Sequence, residues 1–309
     1  MSIKTNLSFL CWLFFGGHVA RCLKYSSLFK QQVGRQNLHL ILHGTQGDVT
    51  DWSLATKGMS QKDLMIKDEC LVVNEDDEIC GTASKWQAHR FTPNNPTGIL
   101  HRAFSIFLFD ENDKLLLQQR ASHKITFPDV WTNTCCSHPL SGYEPNEVDD
   151  RDAVITGAVT GIKAAAQRKL EHELGIDSKA NTPLDKIRYL GRIHYSAPCA
   201  LVDGEVATDS AGQEDGGHWG ESEIDYILFA RVNQEKLRQT LACNPEEVRD
   251  YRFVDLQELK GMMANPALKW SPWFRLLANT LLPTWWADLE RTIETEEFVD
   301  VETIHRYKI

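Results

Sequence analysis

The sequence predicts an α+β fold, and three observations support this prediction. Two apolar segments flank the acidic turn "DENDK" (residues 110–114), as they do in a β-hairpin. The segment 159–176 has apolar residues at helical spacing. Further on, Ser271 is followed directly by a proline, which is a signal for the start of another helix.

The strands come first in the predicted domain. The segments "HRAFSIFLF" (101–109) and "LLLQQR" (115–120) are apolar on successive residues, which is typical of strands buried on both faces. Before them, "ECLVVNEDDEICGTASK" (69–85) predicts two short strands around an acidic turn.

The clearest helix is "VTGIKAAAQRKLEHELGI" (159–176). Gly175 stands where a C-terminal cap belongs, because glycine adopts the left-handed conformation without steric cost. The apolar positions with helical spacing are Ile162, Ala165, Ala166, Leu170 and Leu174.

The C-terminal part adds three strands and two helices. Strands are predicted at "YLGRIHYSA" and "EIDYILFARV", with a long loop rich in Gly, Asp and Ser between them. The strand "DYRFV" leads into the helix "DLQELKGMMAN". The last helix begins with Ser271 as N-cap and Pro272 at its first position, and Pro283 should break or kink it.

The first 58 residues predict a targeting leader ahead of a single domain at residues 59–309. The apolar run 7–15 resembles a secretory signal and is too short to cross a bilayer, so we expect no stable membrane span. The following segment is basic and free of acidic residues, like a transit peptide. We therefore expect delivery to an organelle, a plastid in the first place. The alternatives are a disordered extension and a cytosolic product that starts at Met59.

Composition restricts the possible partners. The 309 residues are 42 % apolar, which is enough for a buried core. The formal charge is −10, and the residues from Asp48 onward carry 28 basic and 43 acidic side chains. A body this acidic excludes general attraction to nucleic acid, so an anionic substrate needs local cations or bound metal. The eight cysteines show no regular disulfide spacing, and we expect them to be reduced thiols.

One set of side chains could form a metal site. Glu221 and Glu223 lie two residues apart at the start of a predicted strand, so both carboxylates project to one face. Imidazole and carboxylate ligands suit Zn, Mn or Mg rather than a closed thiolate site. The predicted ligands are His89, His101, His138, Glu221 and Glu223.

The helix segment "QRKLEHELGI" is similar to the second half of the Nudix box, the signature of enzymes that hydrolyse nucleoside diphosphates linked to another group. Arg168, Leu170 and Glu173 match that pattern, whereas Lys169 and His172 stand where it requires glutamates. A hydrolase needs those carboxylates to collect Mg ions and activate water. The sequence therefore predicts a Nudix-like fold without Nudix hydrolysis.

Several longer segments resemble the type I isopentenyl-diphosphate Δ-isomerases, from about residue 70 to the C-terminus. The segments that carry the resemblance are "ILHRAFSIFLF", "LLLQQRASHKITFPDVWTNTCCSHPL", "AAQRKLEHELGI", "WGESEIDYILF" and "SPWFRLLANTLLPTWW". The resemblance implies a Nudix-like α/β/α sandwich with a mixed central sheet and added N- and C-terminal elements. It also implies the conversion of isopentenyl diphosphate to dimethylallyl diphosphate through a tertiary carbocation.

The resemblance also implies roles for individual residues. Cys136 and Glu223 would exchange protons with opposite faces of the substrate, and Tyr195 would relay protons to Glu223. Trp273 and Tyr195 would shield the carbocation with their aromatic faces. The remaining implied substrate contacts are Lys85, Arg120, Lys124 and Ser137, with Glu173 holding a Mg²⁺ ion that bridges the diphosphate oxygens. Trp131 also matches an aromatic position of the family, and for this residue a packing role is equally open. Cys135 is expected to serve packing.

Two other functions remain open at this level. One is an active Nudix pyrophosphohydrolase, against which the missing glutamates argue. The other is a non-enzymatic metal- or thiol-binding protein, which would not need the three cations Lys85, Arg120 and Lys124. A monomer and a homodimer are both compatible with the sequence, and the loop at 197–218 is longer than the family resemblance implies.

Overall fold

The computed structural model describes residues 59–199 and 216–309. The predicted leader (1–58) and most of the long predicted loop (197–218) lie outside the described residues. Strands β1 to β6 are Glu69–Val73, Ile79–Ser84, Arg90–Phe91, His101–Phe109, Leu115–Arg120 and Trp131–Thr132. Strands β7 to β11 are Cys135–Ser137, Arg188–Pro198, His218–Arg231, Val248–Val254 and Ile304–Arg306.

The helices lie mainly in the middle and at the C-terminal end. Helices α1 to α5 are Gln61–Lys67, Lys85–Ala88, Arg151–Ile155, Thr160–Leu174 and Ser178–Asn181, and a 3₁₀ turn follows at Leu184–Lys186. Helices α6 to α10 are Gln234–Thr240, Leu256–Ala264, Pro272–Asn279, Leu282–Ala287 and Leu289–Glu294. Within the ranges that the structure describes, no helix is both long and apolar enough to span a bilayer.

The central sheet is mixed. Its main path runs β10-β5-β4-β9-β8-β11, and β1 with β2, β6 and β7 join at its sides. The pairs β4–β9 and β11–β8 are parallel, whereas β10–β5, β4–β5 and β8–β9 are antiparallel. Every residue of β4 is buried, in agreement with the apolar run at 106–109, and the burial extends to the polar residues His101, Arg102 and Ser105.

Helices cover both faces of this sheet. Helix α4 packs on one face through Ile162, Ala165 and Leu170, all fully buried. Helices α8, α9 and α10 pack on the other face, where Phe274 and Trp286 are buried. This is the predicted α/β/α sandwich with a mixed central sheet, and the β1–β2 hairpin and β11 are its added terminal elements.

The predicted helix ends are confirmed. Gly175 closes α4 in the left-handed region at φ 65°. Ser271 caps α8, with Pro272 at its first position. Helix α8 ends at Asn279, and Pro283 lies in the first turn of the next helix, so the predicted break occurs just ahead of this proline.

The segment that carries the two adjacent cysteines contains a short strand. Within the sequence "TNTCCSHP", residues 135–137 form β7 and pair antiparallel with β4. Because neighbouring residues of a strand face opposite ways, Cys135 packs in the core on the α4 side and Cys136 packs toward the other face. The pairing of β7 with β4 thus decides which of the two thiols reaches the cavity described below.

Candidate active site

Strand register brings the first group of site residues into one row. Tyr195 on β8 is the partner of Glu223 on β9, and Glu223 is in turn the partner of His101 on β4. On the other side of β4, Ser105 is the partner of Cys136. The thiol, the His101 imidazole, the carboxyl group and the phenol therefore come from four adjoining strands of one sheet.

The five predicted metal ligands form one buried cluster. The candidate ligand atoms of His89, His101, His138, Glu221 and Glu223 all lie within 4.8 Å of one another. The Nε2 atom of His138 is 2.9 Å from Oε1 of Glu223, and that of His101 is 3.7 Å from the same oxygen. The Nε2 atom of His89 is 2.8 Å from Oε2 of Glu221.

Backbone carbonyls fix the orientation of two of the imidazoles. The Nδ1–H group of His89 donates to the Lys85 carbonyl at 2.7 Å, and that of His101 donates to the Ile99 carbonyl at 2.7 Å. A neutral ring whose Nδ1 carries the proton presents a lone pair at Nε2. Both Nε2 lone pairs therefore face the carboxylates.

Burial makes this arrangement of lone pairs and carboxylates costly without a cation. Desolvation lowers the pKa of His89 and His101 to about 3, so both rings are neutral near pH 7. Desolvation raises the pKa of Glu221 to about 7, and desolvation together with Glu221 raises the pKa of Glu223 well above its ordinary value. Neutral imidazole nitrogens and carboxylate oxygens are the ligand atoms that divalent cations bind, and a bound cation would stabilise the two neighbouring carboxylates.

Buried polar atoms without hydrogen-bond partners also indicate a metal site. Among the described residues, the Nε2 atom of His101 and the Oε2 atom of Glu221 are buried and have no hydrogen-bond partner. Although Oε2 of Glu221 is close to His89, the contact does not have hydrogen-bond geometry. Buried polar atoms are normally paired, so the residues present fit a bound divalent metal.

The predicted catalytic groups line one cavity of about 60 Å³ next to this cluster. Cys136, Tyr195, Glu223 and Trp273 all contribute to its wall. The Tyr195 hydroxyl donates to Oε2 of Glu223 at 2.5 Å, and the Tyr195 and Trp273 rings stack with centroids 6.3 Å apart. Burial raises the pKa of the Cys136 thiol, which therefore carries its proton near neutral pH.

Three predicted cations line the same cavity. Arg120 is held rigidly, because its Nε and Nη2 groups donate to the carbonyls of Phe127 and Thr126 at 3.0 and 2.9 Å. Lys85 and Lys124 lie in the same wall, and these three cations are called the cationic wall below; Ser137 also lines the cavity. The lining contains Lys169 and five carboxyl groups as well, so an anionic group would be held by individual cations rather than by a net positive charge.

Lys124 already has a partner. Its Nζ group donates to Oε2 of Glu247 at 2.6 Å and to Oε1 of Gln61 at 3.1 Å. Burial alone would raise the pKa of Glu247, but Lys124 and Lys169 lower it well below its ordinary value. We did not predict Glu247 or Gln61 as site residues, and neither belongs to a local motif that indicates this contact.

Helix α4 places Glu173 in the wall of the same cavity, where its carboxylate already contacts two other side chains. Its Oε1 atom is 2.9 Å from the Nζ group of Lys169, and its Oε2 atom accepts a hydrogen bond from Gln118 at 3.0 Å. Burial would raise the pKa of Glu173, but Lys169 outweighs this and lowers it. Lys169, one of the two departures from the Nudix pattern, thus neutralises the glutamate that the pattern retains.

The other predicted aromatic residue packs elsewhere. Trp131 is 2 % exposed and lies in the core, and it is not among the residues of the cavity wall. Cys135 is also buried and contacts Glu173 through its thiol at 3.4 Å. Cys135 thus has the packing role expected of it, and of the two roles left open for Trp131 its position fits packing.

Comparison with known proteins identifies a family and several relatives that this chain resembles. The NUDIX domain family matches residues 99–274. The chain is 44 % identical to an isopentenyl-diphosphate delta-isomerase of Aspergillus fumigatus over 81 % of this chain and 82 % of that protein. It is 41 % identical to isopentenyl-diphosphate delta-isomerase 1 of Bos taurus over 82 % of this chain and 98 % of that protein. It is also 40 % identical to the chloroplastic isopentenyl-diphosphate delta-isomerase I of Arabidopsis thaliana, over 84 % of this chain and 80 % of that protein.

Proposed function

The chain belongs to the isopentenyl-diphosphate delta-isomerase family, and we propose that it converts isopentenyl diphosphate into dimethylallyl diphosphate by moving a proton between carbons. A proton is added to the terminal alkene carbon, which leaves a tertiary carbocation, and another is removed from the carbon next to the oxygen-bearing one. The product is an isomer, so nothing is consumed. The observation that supports this most directly is the single cavity shared by Cys136, Glu223, Tyr195 and Trp273.

Two groups exchange the protons in this proposal. Cys136 is the acid or base on one face of the hydrocarbon chain, and Glu223 is its counterpart on the other. Burial keeps the Cys136 thiol protonated, and the Tyr195 hydroxyl bonded to Glu223 offers a route for its proton. The indole face of Trp273 stabilises the developing positive charge without reacting with it.

The metal cluster acts through Glu223. We propose that His89, His101, His138, Glu221 and Glu223 hold one divalent cation, with Zn²⁺, Mn²⁺ and Mg²⁺ as candidates. A bound cation supplies positive charge that favours the ionised form of Glu223 beside neutral imidazoles. The protein's own contribution is to fix the imidazole orientation through the carbonyls of Lys85 and Ile99.

The diphosphate end of the substrate lies against the cationic wall in this proposal. Lys85, Arg120, Lys124 and Ser137 bind its oxygens, and Arg120 is already oriented by two backbone carbonyls. Glu173, whose carboxylate is ionised beside Lys169, would hold the Mg²⁺ ion that accompanies the diphosphate. The hydrolase alternative is weaker, because Lys169 and His172 replace the glutamates that would collect further Mg²⁺ ions.

Solvent isotope exchange tests the reaction. The purified chain, isopentenyl diphosphate and Mg²⁺ in deuterated water should give dimethylallyl diphosphate with deuterium in a methyl group, detected by NMR. Cys136→Ala should lower the rate by about 10²- to 10⁴-fold. The neighbouring Cys135→Ala is the control and should stay within about tenfold, since this thiol lies on the opposite face of β7, where its loss changes packing and one 3.4 Å contact with Glu173. Release of pyrophosphate or phosphate at a rate that Cys136→Ala does not change would favour a hydrolase instead.

The leader is proposed to direct the domain at 59–309 to a plastid. The basic, acid-free composition of residues 21–47 supports this, and one relative in Arabidopsis thaliana is described as chloroplastic. A fluorescent reporter carrying residues 1–58 should enter plastids in plant cells. A reporter that stays in the cytosol would favour translation from Met59.

A further inference from the structure

One buried amide side chain connects the aromatic wall of the cavity to the loop that carries the thiol. Asn133 is fully buried in the sequence "TNTCCSHP". Its Oδ1 atom accepts from the Trp273 indole N–H at 3.2 Å and from the Thr132 hydroxyl at 2.9 Å. Its Nδ2 group donates to the carbonyls of Cys135 at 2.8 Å and Ile106 at 3.2 Å.

These four bonds use the full hydrogen-bonding capacity of the amide, which has two donors and an oxygen with two lone pairs. Aspartate has the same shape but would offer no donors and would turn a negative charge toward two carbonyl oxygens. Leucine would fill the space and remove all four hydrogen bonds. Both ends of an asparagine are therefore required at this position.

Each end of the amide holds a group that the proposed reaction uses. On the Oδ1 side, the indole N–H bond restricts rotation of Trp273, whose ring stacks on Tyr195 and meets Phe127 edge-on with centroids 5.3 Å apart. On the Nδ2 side, the bonded Cys135 carbonyl belongs to the peptide group that continues into Cys136. The side chain thus fixes the cavity-facing indole and the thiol backbone relative to each other.

The attachment extends to the start of the helix that carries Trp273. The Thr132 hydroxyl, which donates to Asn133, is 2.8 Å from the hydroxyl of Ser271, the N-cap of α8. The Ser271 N–H also donates to the Trp131 carbonyl at 2.9 Å. Loop and helix are therefore joined independently of Asn133, so its removal should change the orientation of the indole more than the position of the helix.

We propose that Asn133 is a positioning residue for the isomerisation, which sets the Trp273 indole face and the Cys136 thiol at the spacing that the carbocation requires. This inference rests on the proposed function, because it assigns the indole to the developing charge and the thiol to proton transfer. A cation–π contact in a desolvated site is strong only when the cation lies over the ring face, and proton transfer depends similarly on alignment. Misalignment should therefore raise the barrier while leaving the diphosphate contacts in place.

The first test is kinetic. Asn133→Leu should lower kcat for isopentenyl diphosphate by about ten- to hundredfold and change KM by less than about threefold. The matched control is Thr134→Val in the same loop. Thr134 is equally buried and also joins two backbone groups, donating to the Leu116 carbonyl and accepting from the Leu108 N–H at 2.9 Å. It makes no bond to Trp273, so its kcat should fall by less than about threefold.

The second test observes the indole directly. The full-length chain is labelled with 5-fluorotryptophan, and Trp273→Phe identifies the resonance of this residue in the ¹⁹F NMR spectrum. Asn133→Leu should shift or broaden that resonance, and Thr134→Val should leave it unchanged. Trp273→Phe keeps an aromatic face but loses the N–H, so combining it with Asn133→Leu should give a loss in kcat well below the product of the separate losses.

The outcomes separate this inference from the proposed function. If the wild-type chain forms no deuterated product, the isomerase assignment fails before Asn133 is considered. If the wild type is active and Asn133→Leu keeps both its kcat within threefold and its Trp273 resonance, the positioning role is overturned. Should Asn133→Leu not fold, Trp273→Phe decides alone, because full kcat without the indole N–H means that the bond to Asn133 positions nothing.

Discussion

Arg168 of helix α4 provides a test of what holds the thiol loop in place. Its Nε and Nη2 groups bind both carboxylate oxygens of Glu147, at 2.5 and 2.8 Å, and Nη2 also donates to the His138 carbonyl at 3.1 Å. Glu147 is 1 % exposed and accepts from the Leu140 N–H at 2.8 Å. Replacing Arg168 with methionine keeps most of the volume but leaves a buried carboxylate without its cation.

The expected cost is large compared with the stability of a domain. Removing one partner of a buried ion pair costs about 3–5 kcal/mol, against about 5–15 kcal/mol for the unfolding of a typical domain. Chemical denaturation at a fixed metal concentration should show this loss for Arg168→Met. Since the charge of Glu147 causes most of it, the double variant Arg168→Met/Glu147→Gln should recover at least half.

Metal affinity gives a second measurement on the same variants. His138 lies on the loop that Arg168 anchors, so Arg168→Met should weaken binding of Zn²⁺ to the histidine cluster, and the double variant should restore it only in part. A loss of stability below about 1 kcal/mol for Arg168→Met would show that the loop does not depend on this pair. A double variant no more stable than the single one would show that the buried charge is not the cause.

Two further predictions concern the metal cluster and the cationic wall. With a pKa of about 3 for His89 and a pKa of about 7 for Glu221, a metal must displace protons from carboxyl groups rather than from imidazoles, so Zn²⁺ affinity should keep rising between pH 7 and 8. Competition with a chromophoric chelator measures this, and an affinity that is constant above pH 6.5 would contradict it. Glu247→Gln should increase the affinity for inorganic pyrophosphate in calorimetry by about tenfold, because an anion no longer has to separate Lys124 from a carboxylate 2.6 Å away. Glu246→Gln, which changes an exposed carboxylate paired with a histidine, should have no effect, and equal affinities for all three proteins would refute the competition.

Strand geometry explains which contacts of the site could be predicted from the sequence and which could not. Glu221 and Glu223 could be placed on one face because side chains of a strand alternate, and β9 does present both to the cavity. That His101 lies beside Glu223 depends on the register of β4 against β9, which no local pattern determines. Ligand chemistry alone suggested the three histidines and two carboxylates as one set, but no spacing or local pattern in the sequence places them next to one another.

Contacts made by long side chains between distant segments were harder to predict. Lys124 and Glu247 are 123 residues apart, and their pairing arises from the loop that follows α6. This loop is fixed by backbone bonds, since Asn244 donates to the Glu173 carbonyl at 2.8 Å. An isolated lysine and glutamate in the sequence carry no signal of such a pairing. The short strands β3, β6 and β7 went unpredicted for a similar reason, because strands this short depend on their partners rather than on local propensity.

The charges on helix α4 explain how a hydrolase-like scaffold can support proton transfer at carbon. In the Nudix pattern, glutamates on this helix collect several Mg²⁺ ions, but here Lys169 lies 2.9 Å from Glu173 and 3.9 Å from Glu247. Burial and Lys169 lower the pKa of the neighbouring His172 to about 3, so that ring adds no charge. One ammonium between two carboxylates leaves the helix with too little negative charge to bind several cations. The carboxylates available for proton transfer are instead on β9, where burial raises the pKa of Glu221 and Glu223, and it is there that we place the acid–base chemistry.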